Sequence, residues 1–301
     1  NLGFTVEDQD DKMIVTVPTF RRDIHKSIDL IEEIVRIYGY DNIPLEYPLV
    51  QQKPPAVNFK IQFIRKLQQM MIGMGFYEIQ SHSMVGEDLL NSCNISIDNH
   101  IKIINPQSPD KEYMRMTLLP SVIFHTKENR KIKSDIKHFE IEKVFWKNES
   151  YNQEDRLDQY ALEPQHLTAV WNETPKNSES VQTSYYSVKG VLEAIFEHLK
   201  IKDISFSTNN GSLVSSNIFH PTKSSIILGY NEAENGTESC TLGIFGELNP
   251  ELINKMELDE NAVGFELNVV NLMKLIPKQK LFKEFSRFQT VTQDLSFIIN
   301  E

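Results

Sequence analysis

The spacing of apolar positions changes period several times along the chain, and each change marks an element. Residues 1–17 alternate polar and apolar, most clearly in Lys12–Val17, and stop at Pro18, which predicts a hairpin. From Ser27 the period becomes helical. Ile31, Ile34, Val35 and Tyr38 share one face, while Asp29, Glu32, Glu33 and Arg36 share another. Ser27 is placed to cap this helix, and Gly39 to end it in a left-handed conformation. Pro48, Pro54 and Pro55 then read as a stiff linker. Asn58–Met74 predicts a long helix whose stripe of Phe59, Phe63, Leu67, Met70, Met71 and Met74 suits a subunit interface or a core, and it is expected to bury against another subunit.

Period-two segments dominate the rest. Strands are expected over Phe76–Val85, His166–Trp171 and Phe219–Gly229, and over Lys137–Trp146 with one face buried. Helices are expected over Ser121–Lys131 and Tyr185–Leu199. Asn148–Asp158 and Glu173–Ser184 read as polar loops. Thr241–Leu258 reads as a strand and an Asn-Pro helix, and Asn261–Met273 as a strand and a helix. His220 follows no ligand spacing and reads as a structural turn residue. Arg115 stands alone near a turn and reads as half of a structural ion pair.

The acidic helix face leaves two readings open. Carboxylates in the first turns favour the helix dipole and can be a solvated face. Alternatively, Asp29, Glu32 and Glu33 on the helix, with Asp23 approaching from the segment before it, offer hard oxygen ligands of the kind Mg2+ takes. Spacing alone does not decide between them.

Bulk numbers limit the classes. The 301 residues suffice for one large domain or two modest ones, and 40% hydrophobic with 24% charged residues is ordinary for a globular protein. Cys93 and Cys240, far apart in sequence, make neither a disulfide framework nor a metal knuckle, which fits a reducing, cytoplasmic setting. A net charge of −11 suits most of the surface poorly to gripping phosphates. The chain opens on Asn in mid-pattern, as an excised piece of a longer protein would.

The run from Val17 to Pro44, VPTFRRDIHKSIDLIEEIVRIYGYDNIP, resembles the end of the winged-helix-like module of the phenylalanyl-tRNA synthetase beta subunit of bacterial type. Further segments resemble the same family in the same order. They are Asn105, Pro106 and Ser108 followed by Met114, Arg115, Leu118, Leu119 and Pro120, then FEIEKVF at Phe139–Phe145, then YYSVKGVLEAIFEHL at Tyr185–Leu199. The resemblance implies an α+β fold: a class II synthetase-like antiparallel sheet flanked by helices, preceded by part of a winged-helix-like module. It places the winged-helix-like tail at 1–47, a non-catalytic synthetase-like domain at 48–276, and the start of a ferredoxin-fold anticodon-binding domain at 277–301, where Phe282–Glu301 resembles the opening strand of that domain. It also assigns Asp23, Asp29, Glu32 and Glu33 to a magnesium site shared with the alpha subunit.

What the family does is then an expectation for the parent protein. With ATP, the ligase attaches phenylalanine to its tRNA, the alpha subunit does the chemistry, and the assembly holds two alpha and two beta subunits. This chain would be a non-catalytic scaffold for alpha, with tRNA met only through the full-length complex and no membrane contact. One departure supports that. Where an active class II domain carries an arginine that holds ATP phosphates, Asn268–Met273 has none. Two rivals remain: a stand-alone nucleic-acid-binding protein, opposed by the acidic helix that follows Arg21-Arg22, and an active class II ligase, opposed by that missing arginine.

Overall fold

The computed structural model describes residues 2–46, 56–133, 135–149, 160–173, 180–233, 236–258, 262–277, 288 and 292–296. The chain divides into two compact units, residues 1–56 and 57–301.

In the first unit, β1 (Thr5–Gln9) and β2 (Lys12–Thr16) form the expected antiparallel hairpin, with Asp10 at φ +48° in its turn. Helix α1 (Ser27–Tyr38) follows. Its start differs from expectation, because Ser27 is the first helical residue and makes no capping bond. Asp29 satisfies the helix end instead, its Oδ2 accepting from the backbone N–H groups of His25 (2.8 Å) and Lys26 (2.7 Å). Gly39, at φ +94°, ends the helix as expected, its N–H donating to Val35. No residue of α1 is buried, and Ile28, Ile31, Ile34 and Ile37 are all exposed. The linker at 47–55 lies outside the described residues.

The second unit is built on one sheet. Its elements in order are α2 (Phe59–Gly73), β3 (Tyr77–Glu78), β4 (Met84–Val85), α3 (Glu87–Ser92), β5 (Tyr113–Met114), α4 (Leu119–Arg130), β6 (Asp135–Lys143), β7 (Trp146–Lys147), β8 (Ala161–Leu162) and β9 (Gln165–Glu173). Then come α5 (Ser180–Leu199), β10 (Ile204–Thr208), β11 (Phe219–Ala233), β12 (Gly236–Leu248), α6 (Pro250–Lys255), β13 (Val263–Asn268) and α7 (Val269–Lys274). Seven strands pair in the order β10-β11-β12-β13-β9-β6-β3. The expected all-antiparallel sheet is in fact mixed, since β3 runs parallel to β6 at the edge.

Two apolar layers sandwich the sheet, and strand alternation assigns residues to them. Leu167, Phe265 and Leu267 face one layer with Phe63, Leu67 and Met71 of α2 and Leu192, Ile195 and Phe196 of α5. Val170 and Ile244 face the other, with Val122 and Ile123 of α4 and Leu252 of α6. The methionine stripe of α2 therefore belongs to the chain's own core: Met71 is fully buried, and Met70 and Met74 pack against the same cluster. Phe59, Ile61 and Ile72 are the apolar residues that α2 exposes.

Three further expectations change. Phe76–Val85 forms two short strands rather than one. Helix α5 starts at Ser180, inside the expected loop. Lys137–Trp146 is buried on both faces, because α4 covers the face that carries His138 and Glu140, and the strand breaks before Trp146. His220 is structural, its Nδ1 accepting from the N–H groups of Thr222 and Lys223 at 3.2 Å each. The expected strand within Phe282–Glu301 falls mostly outside the described residues.

Candidate functional site

Two places gather chemistry. The first is the acidic face of α1. Arg21, ahead of the helix, turns its guanidinium onto two of the four carboxylates. Its Nη2 donates to Asp23 Oδ2 at 2.7 Å and to Glu33 Oε1 at 2.8 Å, while its Nε donates to Asp23 Oδ1 at 3.0 Å. Arg36 closes the other side of Glu33, 2.6 Å from Oε2. The Arg21 and Glu33 side chains are largely shielded, at 18% and 12% exposure. Asp29 is engaged with backbone N–H groups, and Glu32 is exposed.

Charge-assisted bonds of this kind favour the ionised carboxylate. Arg21 holds the Asp23 carboxyl at about 2, and Arg21 together with Arg36 holds Glu33 at about 2. The N–H groups of His25 and Lys26 lower Asp29 as well. Because the folded values lie below the ordinary 3.8 and 4.5, the stabilising contribution is complete above those values and is lost as pH falls from 4.5 towards 2. An NMR titration of the side-chain carboxyl carbons should find Asp23 and Glu33 titrating near 2, and midpoints at the ordinary values would show that the arginine clamp does not form.

These partners decide how the four carboxylates suit Mg2+. A hard cation needs oxygen lone pairs directed at one point. Asp23, Asp29 and Glu33 direct theirs at arginines and backbone N–H groups, and among the described residues no group of three or more His, Cys, Asp or Glu is arranged to hold a metal ion. As arranged in this chain, the set does not fit a magnesium ion.

The second place is a cleft of about 370 Å3 on the sheet, bounded by Met116, Thr117, Trp146, His166, residues 212–215 and the strands β12 and β13. Strand register sets Glu266, which lines the cleft, in a row with two residues that do not. Glu140 of β6 and Glu266 of β13 both pair with Thr168 of β9, so two carboxylates stand in one row with a threonine between them. Both are buried, and each accepts hydrogen bonds from the segment that joins β5 to α4. Arg115, 1% exposed, lies 2.9 Å from Glu140 and also donates to Ser81 Oγ and to the carbonyls of Lys143 and His82. It is the structural ion pair expected from its sequence context. Glu266 accepts from Thr117 Oγ1 at 2.6 Å, the Leu118 N–H at 3.0 Å and Thr168 Oγ1 at 3.2 Å, with His166 Nδ1 3.1 Å away. Burial alone would raise the Glu266 carboxyl, but His166, Thr117 and the Leu118 N–H more than offset this and hold it below its ordinary value.

The row of carboxylates was not singled out in the sequence, although it left a trace there. Phe139-Glu140-Ile141 and Phe265-Glu266-Leu267 are the same Phe-Glu-aliphatic triplet, with the acid in mid-strand between two apolar residues. A glutamate there is buried and needs a partner.

At the end of this cleft stand Asn268 and Asn271, the first capping α7 through the N–H of the second at 3.0 Å. Among the described residues, no Lys or Arg lines the cleft. A triphosphate entering it would meet a buried carboxylate and neutral amides, so the electrostatic stabilisation that phosphate chemistry requires is missing.

Comparison with known proteins gives the lineage of the chain. Residues 43–269 match the family described as phenylalanyl tRNA synthetase beta chain CLM domain, and residues 1–40 match the tRNA synthetase B5 domain. The phenylalanine–tRNA ligase beta subunit of Thermotoga maritima is 32% identical over 304 residues, covering 99% of this chain and 35% of that protein. That of Oceanobacillus iheyensis is 29% identical over 309 residues, covering 99% and 36%. The chain thus spans about a third of the length of these relatives. Among solved structures, the pyrrolysyl-tRNA synthetase of Desulfitobacterium hafniense superposes with a TM-score of 0.51 at 15% identity, covering 71% of this chain and 68% of that one, which is a likeness of fold.

Proposed function

The chain belongs to the phenylalanyl-tRNA synthetase beta-chain family, and from that membership we propose that it is part of the beta subunit of a phenylalanine–tRNA ligase and serves as a scaffold for the catalytic alpha subunit. The observation that carries this reading is the order of the two family matches, B5 at 1–40 and then the beta-chain domain at 43–269, which together cover most of the chain. Residues 1–47 then make the tail of a winged-helix-like module, 48–276 a non-catalytic synthetase-like domain, and 277–301 the start of an anticodon-binding domain. Two alpha and two beta subunits form the whole ligase, which works in the cytoplasm and meets tRNA through its full-length chains. Among the described residues no helix is long and apolar enough to cross a membrane.

Division of labour follows from the cleft. ATP and Mg2+ are used where the alpha subunit supplies cationic and metal-binding groups. Here Glu140 and Glu266 fix the β5–α4 connection, and Asn268 and Asn271 bring neutral amides to the cleft rather than a cation that could hold phosphates. In this reading, Asp23, Asp29, Glu32 and Glu33 accept magnesium only in the assembled enzyme, after their present partners are released.

A direct test is exchange of labelled pyrophosphate into ATP in the presence of phenylalanine. The chain alone should give no exchange above background. Activity that copurifies with the chain through successive columns, and is lost when Glu266 is changed, would make the cleft catalytic and overturn the scaffold assignment.

A further inference from the structure

The four carboxylates that the family resemblance assigns to magnesium do not form a cation site in this chain, and the reason lies in a single atom. Nη2 of Arg21 is 2.7 Å from Asp23 and 2.8 Å from Glu33, so one nitrogen bridges the two carboxylates. A divalent ion binding both would have to occupy that position. We infer that Arg21 is the resident counter-ion of the acidic face, and that it excludes divalent cations from this chain as long as the ion pair stands.

Three features hold Arg21 in place. Its backbone N–H donates to Pro18, its guanidinium lies 5.7 Å from the centre of the Phe4 ring, and its side chain is four-fifths shielded from water. The planar fork engages Asp23 through two nitrogens, a geometry that the point charge of a lysine would not reproduce. Glu33 is further held by Arg36, and Asp29 cannot turn away without uncapping α1. A cation must therefore displace several charge-assisted hydrogen bonds and shed part of its own hydration, and Mg2+ dehydrates reluctantly. This deepens the reading above and rests on it only for the identity of the competing cation.

The test uses Mn2+ as a paramagnetic stand-in for Mg2+, with the whole chain and no partner. Electron paramagnetic resonance should show no saturable Mn2+ binding by the wild type. Arg21→Gln should create one site, with affinity improved at least tenfold, and adding Glu33→Gln to that variant should abolish it. Wild-type binding that disappears with Glu33→Gln overturns the inference, as does Arg21→Gln binding no better than the wild type. Should Arg21→Gln fail to fold, thermal melts of the wild type decide. Equal midpoints with excess Mg2+ and with chelator support the inference, and a midpoint raised by Mg2+ and made insensitive by Glu33→Gln overturns it. The magnesium dependence of assembly with the alpha subunit is a separate readout. A magnesium-independent assembly would defeat the shared-site reading and leave the role of Arg21 intact.

Discussion

Replacing Arg115 with Met is expected to lower the unfolding free energy of the 57–301 unit by about 3–5 kcal/mol, the usual cost of leaving a buried charge without its partner. Both side chains of the pair are 1% exposed, so water cannot replace the lost guanidinium. Ser81 alone would remain on the Glu140 carboxylate, through its hydroxyl and its N–H. The loss should be strongly non-additive. Changing Glu140 to Gln in the same chain removes the stranded charge and should recover a large part of the stability. Both tryptophans, Trp146 and Trp171, lie in this unit, so urea unfolding followed by their fluorescence reports it directly. A cost below about 1 kcal/mol, the range of an exposed pair, would place Arg115 at the surface and remove the pin on the β5–α4 connection.

Gly243→Ala should be at least as damaging. Gly243 pairs with Leu267 across β12 and β13, and a Cβ added there would lie 1.9 Å from the backbone oxygen of Glu266. The obstacle is the neighbouring strand itself, so no side-chain rotation relieves it, and the central ladder must separate. The expected loss is about 4 kcal/mol or more, at the exceptional end for one substitution. Gly190 provides the control. It sits within α5 with nothing within 4 Å of its would-be Cβ, and Gly190→Ala should stabilise by about 0.5–1 kcal/mol through helix propensity. Equal effects at the two glycines would contradict the strand packing.

The two glycines also illustrate what could be read from the chain and what could not. Period alone locates α5, because Val188, Leu192, Ile195 and Phe196 share one face directed at the core, and it locates α1 although no residue of that helix is buried. It fails where a strand is buried on both sides. Lys137–Trp146 alternates as though one face met water, yet His138 and Glu140 are buried too, held by Thr126 and Arg115. The polar half of that alternation marks an internal network, and only tertiary contacts reveal its partners. The methionine stripe of α2 is ambiguous for a similar reason, since a core and an interface demand the same side chains, and the sheet supplies the partner.

At the acidic face the sequence pattern shows charges but not directions. Asp29 and Glu33 share a helix face with Glu32 by spacing, yet one serves the helix end and the other serves two arginines. Arg21 stands within the resemblance motif in sequence, but its reach across twelve residues to Glu33 is a property of the fold. The absent arginine in Asn268–Met273 was legible at once, because a missing charge needs no geometry to be noticed.

Sedimentation velocity of the chain mixed with its cognate alpha subunit tests the scaffold assignment most directly. One boundary heavier than either component, carrying both chains and forming at micromolar concentration, is the predicted result. Two boundaries that migrate as the separate chains, with both proteins folded and no shift on adding excess of either, would contradict it.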